Sequence, residues 1–290
     1  MPPTRITRRT TPKCAGTVRL CDSAHAFYCI SACAKPRIAS GDLNADGVPW
    51  NLPTTPLELS TRSRLARPQR RPLGPSPRTR NAVNSYLVRM TLLGVGAMNS
   101  PRYAPAGLLV ECRGHRIMLD GGPASDPRGR LDAWLLTDDC ELIREIRARA
   151  RVRGLEPVVG SFFSPDLTLK PYPVIHTSHA AYGYVLQTRR KKIVWAPEFL
   201  VFPKWAARAD LMFAEAASWE RPIHFVGRVG GHCAAVSVAE EARRLGVRRL
   251  VFAHIGRSTI RAIDAGKRAP FGEFGADGQR YIVRVSRGPR

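Results

Sequence analysis

Three short apolar runs in this chain each end on a side chain that can bind metal or move a proton. Arg248-Arg249-Leu250-Val251-Phe252-Ala253 leads into His254, Pro173-Val174-Ile175 into His176, and Lys192-Ile193-Val194-Trp195-Ala196-Pro197 into Glu198. Runs of this length and composition, rich in β-branched and aromatic residues, read as strands. Polar groups delivered at several strand ends are how an α/β scaffold gathers a metal or catalytic site on its loops.

The chain has 290 residues, enough for one large or two modest domains, and 44% of them are hydrophobic, enough for a packed core. Its net charge of +23 suggests a polyanionic partner. The distribution weakens that reading. Residues 1–89 hold 15 Lys and Arg against 4 Asp and Glu, a net of +11, and residues 90–290 hold 31 against 19, a net of +12. Nearly half of the excess thus lies outside the part with a folding pattern, so nucleic acid is a possible partner but not the favoured one. Of seven cysteines, Cys14, Cys21, Cys29 and Cys33 lack paired Cys-x2-Cys spacing or partner histidines, and Cys112, Cys140 and Cys233 are widely separated. This usage fits a reduced, cytoplasmic protein. No run of about 18 apolar residues is present, so no membrane-spanning helix is expected.

Residues 1–89 have no sustained period of 2 or 3.6 and are rich in Pro, Ser, Thr and Arg, as in Arg67-Pro68-Gln69-Arg70-Arg71-Pro72. Such a stretch buries too little apolar surface to offset chain entropy. Three readings compete: a disordered tail, a targeting peptide with Ala32-Cys33-Ala34 as cleavage site, or a spurious extension upstream of a start at Met90. The expected division is therefore 1–89 as disordered or spurious and 90–290 as the folded domain.

From Met90 the pattern changes. Met90 to Gly96 reads as a strand ending in a glycine turn. Gly107 to Cys112 and His115 to Leu119 form a hairpin around Arg113-Gly114, and Leu131 to Thr137 is a further strand. Cys140 to Arg153 is a helix with the stripe Leu142, Ile143, Ile146 and Ala150, closed by Gly154. Strands follow at Pro157–Phe162, Tyr182–Gln187, Ile193–Ala196 and Ala209–Glu215, then a helix at Val236–Leu245, a strand at Arg248–Ala253 and a last strand at Gln279–Val285. Early hairpins ahead of alternating strands and helices predict two sheets with helices outside.

Several ordered motifs carry a resemblance. They are Leu92-Leu93-Gly94-Val95-Gly96 with Ser100-Pro101-Arg102, Met118-Leu119-Asp120-Gly121-Gly122, His176 ahead of Tyr182-Gly183-Tyr184, Trp195-Ala196-Pro197-Glu198, Ala209 to Glu215, Gly231-His232, and Phe252-Ala253-His254-Ile255. In this order they resemble the metallo-β-lactamase fold superfamily, on its ribonuclease Z and cyclic-phosphodiesterase side. The resemblance spans 90–285 and implies an α/β (α+β) fold, an αββα sandwich with the site along one sheet edge, here preceded by a disordered N-terminal segment.

One motif departs from the family pattern. Where it places His-x-His-x-Asp-His, this chain has Asp138-Asp139-Cys140-Glu141-Leu142-Ile143. Leu142 and Ile143 cannot ligate metal, so one of two usual metal positions loses most of its ligands. The resemblance then implies a single zinc or iron per chain held by His176, Glu198 and His254 with Asp138 and Cys140. It also implies a His232–Glu215 pair for leaving-group protonation, and Arg257 and Arg261 holding a small anionic substrate. The implied activity is metal-dependent hydrolysis of a phosphodiester or other anionic ester. The alternatives are a metal-poor relative that only binds a ligand or partner, and an RNA-processing nuclease. Each residue also has a plainer role open to it: Asp138 as a helix cap, Cys140 as an inert helix-start thiol, Glu198 as an arginine partner, His232 as structural support. His179 has no counterpart in the family pattern, though it could substitute for His176. His115 is expected at the surface of a hairpin.

Overall fold

In the computed structural model, which describes residues 85–98, 100–138 and 143–286, alternation within the early strands builds two layers at once. The elements in chain order are β1 (Ser85–Gly94), β2 (Gly107–Cys112), β3 (His115–Asp120), β4 (Ala133–Leu135), α1 (Ile143–Arg151), β5 (Phe162–Phe163), β6 (Thr168–Val174), β7 (Ala181–Gln187), β8 (Lys192–Ala196), β9 (Leu211–Ala216), β10 (Ile223–His224), β11 (Gly231–His232), α2 (Ala235–Arg244), β12 (Leu250–Ile255), α3 (Arg257–Asp264), β13 (Glu273–Phe274) and β14 (Arg280–Ser286). Successive strand side chains face opposite sides. Leu108, Val110 and Cys112 of β2 with Ile117 and Leu119 of β3 join the main core, together with residues of both sheets. Leu109 and Met118, the alternating partners, join Trp134, Leu136, Ile146 and Ala150 in a second core beneath α1.

The first sheet has the order β14-β1-β2-β3-β4 and the second β13-β12-β9-β8-β7-β6-β5, with β10 and β11 as a separate two-stranded ribbon. In the second sheet β8, β9, β12 and β13 run parallel. β9 and β12 are buried along their whole length, as parallel strands covered on both faces must be. One cover is α2, whose Val238, Ala239 and Ala242 are fully buried. The result is the expected αββα sandwich. No helix among the described residues is long and apolar enough to cross a membrane.

Several elements differ from expectation. β1 begins at Ser85 rather than Met90: Ser85–Arg89 pair with Ser286–Ile282, and Tyr86 and Val88 are buried. Expected strand Pro157–Phe162 shrinks to a single bridge from Val158 to Leu135 and the two residues of β5. β6 begins well upstream of the expected run Pro173–Ile175 and contains Pro171 as well as Pro173. Both lie beyond the two-residue pairing with β5, where β6 has only β7 beside it, so their missing N–H groups break no ladder on that side. The start of the expected helix at Cys140 lies outside the described residues. α3 was not expected at all. At the β7–β8 hairpin, Lys191 pairs with Asp210 at 2.8 Å, and Lys192 Nζ donates to the carbonyls of Trp205 and Ala207.

Candidate active site

The ends of β6, β8 and β12 bring His176, Glu198 and His254 together. His254 sits at a register break in β12, between Phe252 and Ile255, with φ of 65°. A bulge of this kind re-aims a side chain, and a left-handed conformation in a non-glycine residue is strain held in place by its surroundings. The surroundings are visible. The chain beyond β1 runs against the end of β12, with Ile255 N–H donating to the Val95 carbonyl and Ala97 N–H to that of Ile255. Gly94 is required in that turn, since a Cβ there would lie 2.2 Å from the Pro105 carbonyl oxygen.

Glu198 lies between the two histidines. Its Oε2 is 2.7 Å from His176 Nε2 and its Oε1 is 3.0 Å from His254 Nδ1. The His176 side chain is fully buried. Burial pulls its pKa down, but the Glu198 carboxylate, the Gly231 carbonyl and Glu215 outweigh that and push it up to about 10. Burial raises the Glu198 carboxyl, yet the two histidines hold it well below the usual range. On the other side of the ring, His176 Nδ1–H donates to the Gly231 carbonyl at 3.0 Å, which fixes Nε2 as the nitrogen facing Glu198. The Nε2···Oε2 contact is close but misdirected: neither atom has a partner in hydrogen-bond geometry.

A second pair lies alongside. His232 Nδ1–H donates to Glu215 Oε2 at 2.7 Å. Glu215 is fully buried and also accepts from the backbone N–H groups of Phe199 and Ala217, at 3.2 and 2.7 Å. The His232 ring stacks on His254 with centroids 5.2 Å apart and is 4.8 Å from His176. Phe225 packs edge-on against both His176 and His232, so the β10–β11 ribbon covers the pair. The ribbon closes this tightly only with glycine at its base: a Cβ on Gly230 would lie 1.9 Å from the His176 carbonyl oxygen.

Glu198 and His254 line a cavity of about 40 Å³ together with Asp120, Thr137 and Asp138, room for a water or two. Asp138 Oδ2 accepts from His179 Nε2–H at 2.7 Å. Asp120, at φ of 50°, accepts from Thr137 N–H, Thr137 Oγ1–H and Trp195 Nε1–H at 2.7, 2.9 and 2.6 Å. Burial still pushes its carboxyl up to about 7.

Donor atoms of Glu215, His232 and His254 also lie within 4.8 Å of one another. Glu215, however, already orients His232 and holds two backbone N–H groups. The atoms around Glu198 form a second group of possible metal donors. His176 has the backbone-carbonyl partner on its far nitrogen that metal-bound imidazoles usually have. Its near nitrogen and Glu198 Oε2 are buried atoms without a directed partner, and two imidazoles with carboxylates suit zinc or iron.

Of the remaining expected residues, Cys140 lies outside the described residues. Arg257 and Arg261 are exposed on α3. Neither lines the cavity, and Arg261 lines a separate hollow. Both lie on the helix that directly follows the end of β12. His115 is at the surface of its hairpin, against Asp132 and Phe162. Sequence reading missed the His179–Asp138 pair and the three donors that converge on Asp120.

Two sheets face to face, helices outside and a histidine-carboxylate centre at the strand ends define the metallo-β-lactamase fold, and the chain has this fold. Among solved structures, the metallo-β-lactamase fold protein YhfI from Bacillus subtilis superposes with a TM-score of 0.54 and 14% identity, over 67% of this chain and 99% of that one. A diphosphatase from the PhnP family superposes with a TM-score of 0.55 and 16% identity, over 70% and 99%. No protein-family profile matches the sequence, and no curated protein matches it.

Proposed function

We propose that the chain is a metal-dependent hydrolase of an anionic ester, with phosphodiesters the preferred class, built on one zinc or iron held by His176, Glu198 and His254. The observation that carries this reading is the buried, misdirected contact of His176 Nε2 with Glu198 Oε2, with Nδ1 tied to a backbone carbonyl. Asp138, on the same cavity wall, is a candidate for a further ligand in competition with His179. A bound zinc would lower the pKa of a water and polarise the ester. The chain's own part is proton handling: Glu215 fixes the His232 ring through Nδ1–H, which leaves Nε2 to protonate the leaving oxygen. A phosphorus ester is in keeping with the diphosphatase among the structural neighbours, although at 16% identity that likeness carries the fold alone. The free thiols Cys112 and Cys233 suit a reducing, cytoplasmic setting.

One observation favours a second reading. Glu198 meets both histidines at ion-pair distance, so the centre can satisfy itself without metal and serve only to bind a ligand. Elemental analysis of the full chain, purified without a metal-binding tag, separates the two. About one zinc or iron per chain, with hydrolysis of a chromogenic phosphodiester that His254→Ala abolishes, supports the hydrolase. A folded protein with no metal and no hydrolysis supports the binder. Two metals would mean that the ligand set is wrong.

A further inference from the structure

We infer that the chain has a second anion site, separate from the histidine centre, that takes a phosphate group. The loops leaving the C-terminal ends of the adjacent parallel strands β9 and β12 border an open surface hollow of about 400 Å³. One wall is Ser218–Arg221, just past Glu215 and the end of β9. The other is the face of α3 bearing Ser258 and Arg261, just past His254. Ligands of open α/β sheets favour this position, outside the carboxyl ends of neighbouring strands.

The chemistry of the lining is that of a phosphate receptor. Arg221, Arg261 and Lys267 face Glu220 as the one acid lining the hollow. Glu220 is already committed to Lys267 at 2.8 Å and to the Trp219 indole N–H at 3.1 Å. Two guanidinium forks are left, each able to bind phosphate through paired N–H donors. Ser258 Oγ accepts from the Trp219 N–H at 3.0 Å, so its own proton is available to donate. The walls are fixed where they meet. Gly256 N–H donates to the Ala216 carbonyl, and a Cβ on Gly256 would lie 2.2 Å from the Ala217 carbonyl oxygen. At about 400 Å³ the hollow admits a phosphorylated group of metabolite size. Use of this site to hold the second phosphate of an ester cleaved at His254 rests on the hydrolase reading; phosphate binding itself does not.

The test is titration of the full chain with inorganic phosphate, followed at the Trp219 indole N–H resonance, in wild type, the double variant Arg221→Ala/Arg261→Ala, and His254→Ala, with chloride at matched ionic strength as control. The expected result is a saturable shift, weakened about tenfold or more in the double variant and unchanged in His254→Ala. Thermal melts establish that the double variant is folded. An equal shift in the double variant, a shift lost in His254→Ala, or no saturable shift in wild type would each overturn the site. None of these outcomes depends on whether any ester is hydrolysed.

Discussion

Replacing Glu198 by glutamine keeps the side chain's shape and removes its charge, and its effect on stability should depend steeply on pH. In the metal-free protein His176 rises from 6.5 to about 10, against the pull of burial. That rise corresponds to roughly 5 kcal/mol of preference for the protonated ring, close to the roughly 3–5 kcal/mol lost when one partner of a buried pair is removed. The depressed Glu198 carboxyl expresses the same interaction from the other side, so the two do not add. Because the folded pKa is raised, the stabilisation is fully present below 6.5 and is lost as pH climbs through 10. The Gly231 carbonyl and Glu215 remain in the variant and retain part of the effect. Glu198→Gln should therefore cost about 3 kcal/mol at pH 6, where an imidazolium is left without its counter-charge. Near pH 10 it should cost under about 1 kcal/mol, since a neutral ring can accept from the new amide. Urea denaturation of chelator-treated protein at both pH values measures this. An equal loss at both, or a larger one at pH 10, would refute the charge pairing.

His176→Ala and His254→Ala should each lower metal content while His115→Ala should not; equal metal in all three would sink the ligand set. His232→Ala and Glu215→Gln should reduce hydrolysis about 10²–10⁴-fold with metal content unchanged, so metal lost in step with activity would make that pair structural or ligating. A chain starting at Met90 loses the buried Tyr86 and Val88, about 1.5–3 kcal/mol each. Its melting temperature should fall clearly below that of a chain starting at Ser85, and matching melts would show that the first half of β1 contributes nothing. Metal uptake near pH 7 should release at least about one proton, because His176 must give one up to ligate; calorimetry in buffers of different ionisation enthalpy reads this, and no release would place the metal elsewhere.

Much of the scaffold was legible because period 2 and burial coincide: Leu108 and Val110 against Leu109 in β2 announce a sheet covered on both faces. Tyr86, Val88 and Met90 carry the same signal into β1, but they adjoin a stretch without any period, which masked it. Only the end of β6 was legible, because prolines argue against a strand unless its neighbours are known. The approach of His176, Glu198 and His254 was suggested by apolar runs ending on them. Their angular relation was not, because it depends on a register break in β12 and on the Gly231 carbonyl, far apart in sequence. His179 and Asp138 are likewise separated by a stretch that includes two strands, and no local pattern couples them.

The carboxylates around the histidines set the charge balance of the centre. Asp120, Asp138 and Glu198 all line one cavity of about 40 Å³, too small for water to screen three carboxylates. Each is relieved differently. Glu198 is held charged by His176 and His254. Asp138 is met by His179, a residue outside the family pattern. Asp120, with neutral donors alone, is pushed up to about 7. His176, raised beside Glu198, thus stands where a cation would otherwise be required, and a metal entering there must displace its proton. His179 is informative too: it competes for Asp138 Oδ2, so if Asp138 is a ligand of one metal, His179→Ala should bind that metal more tightly than wild type, and equal or weaker binding would place Asp138 outside the ligand set.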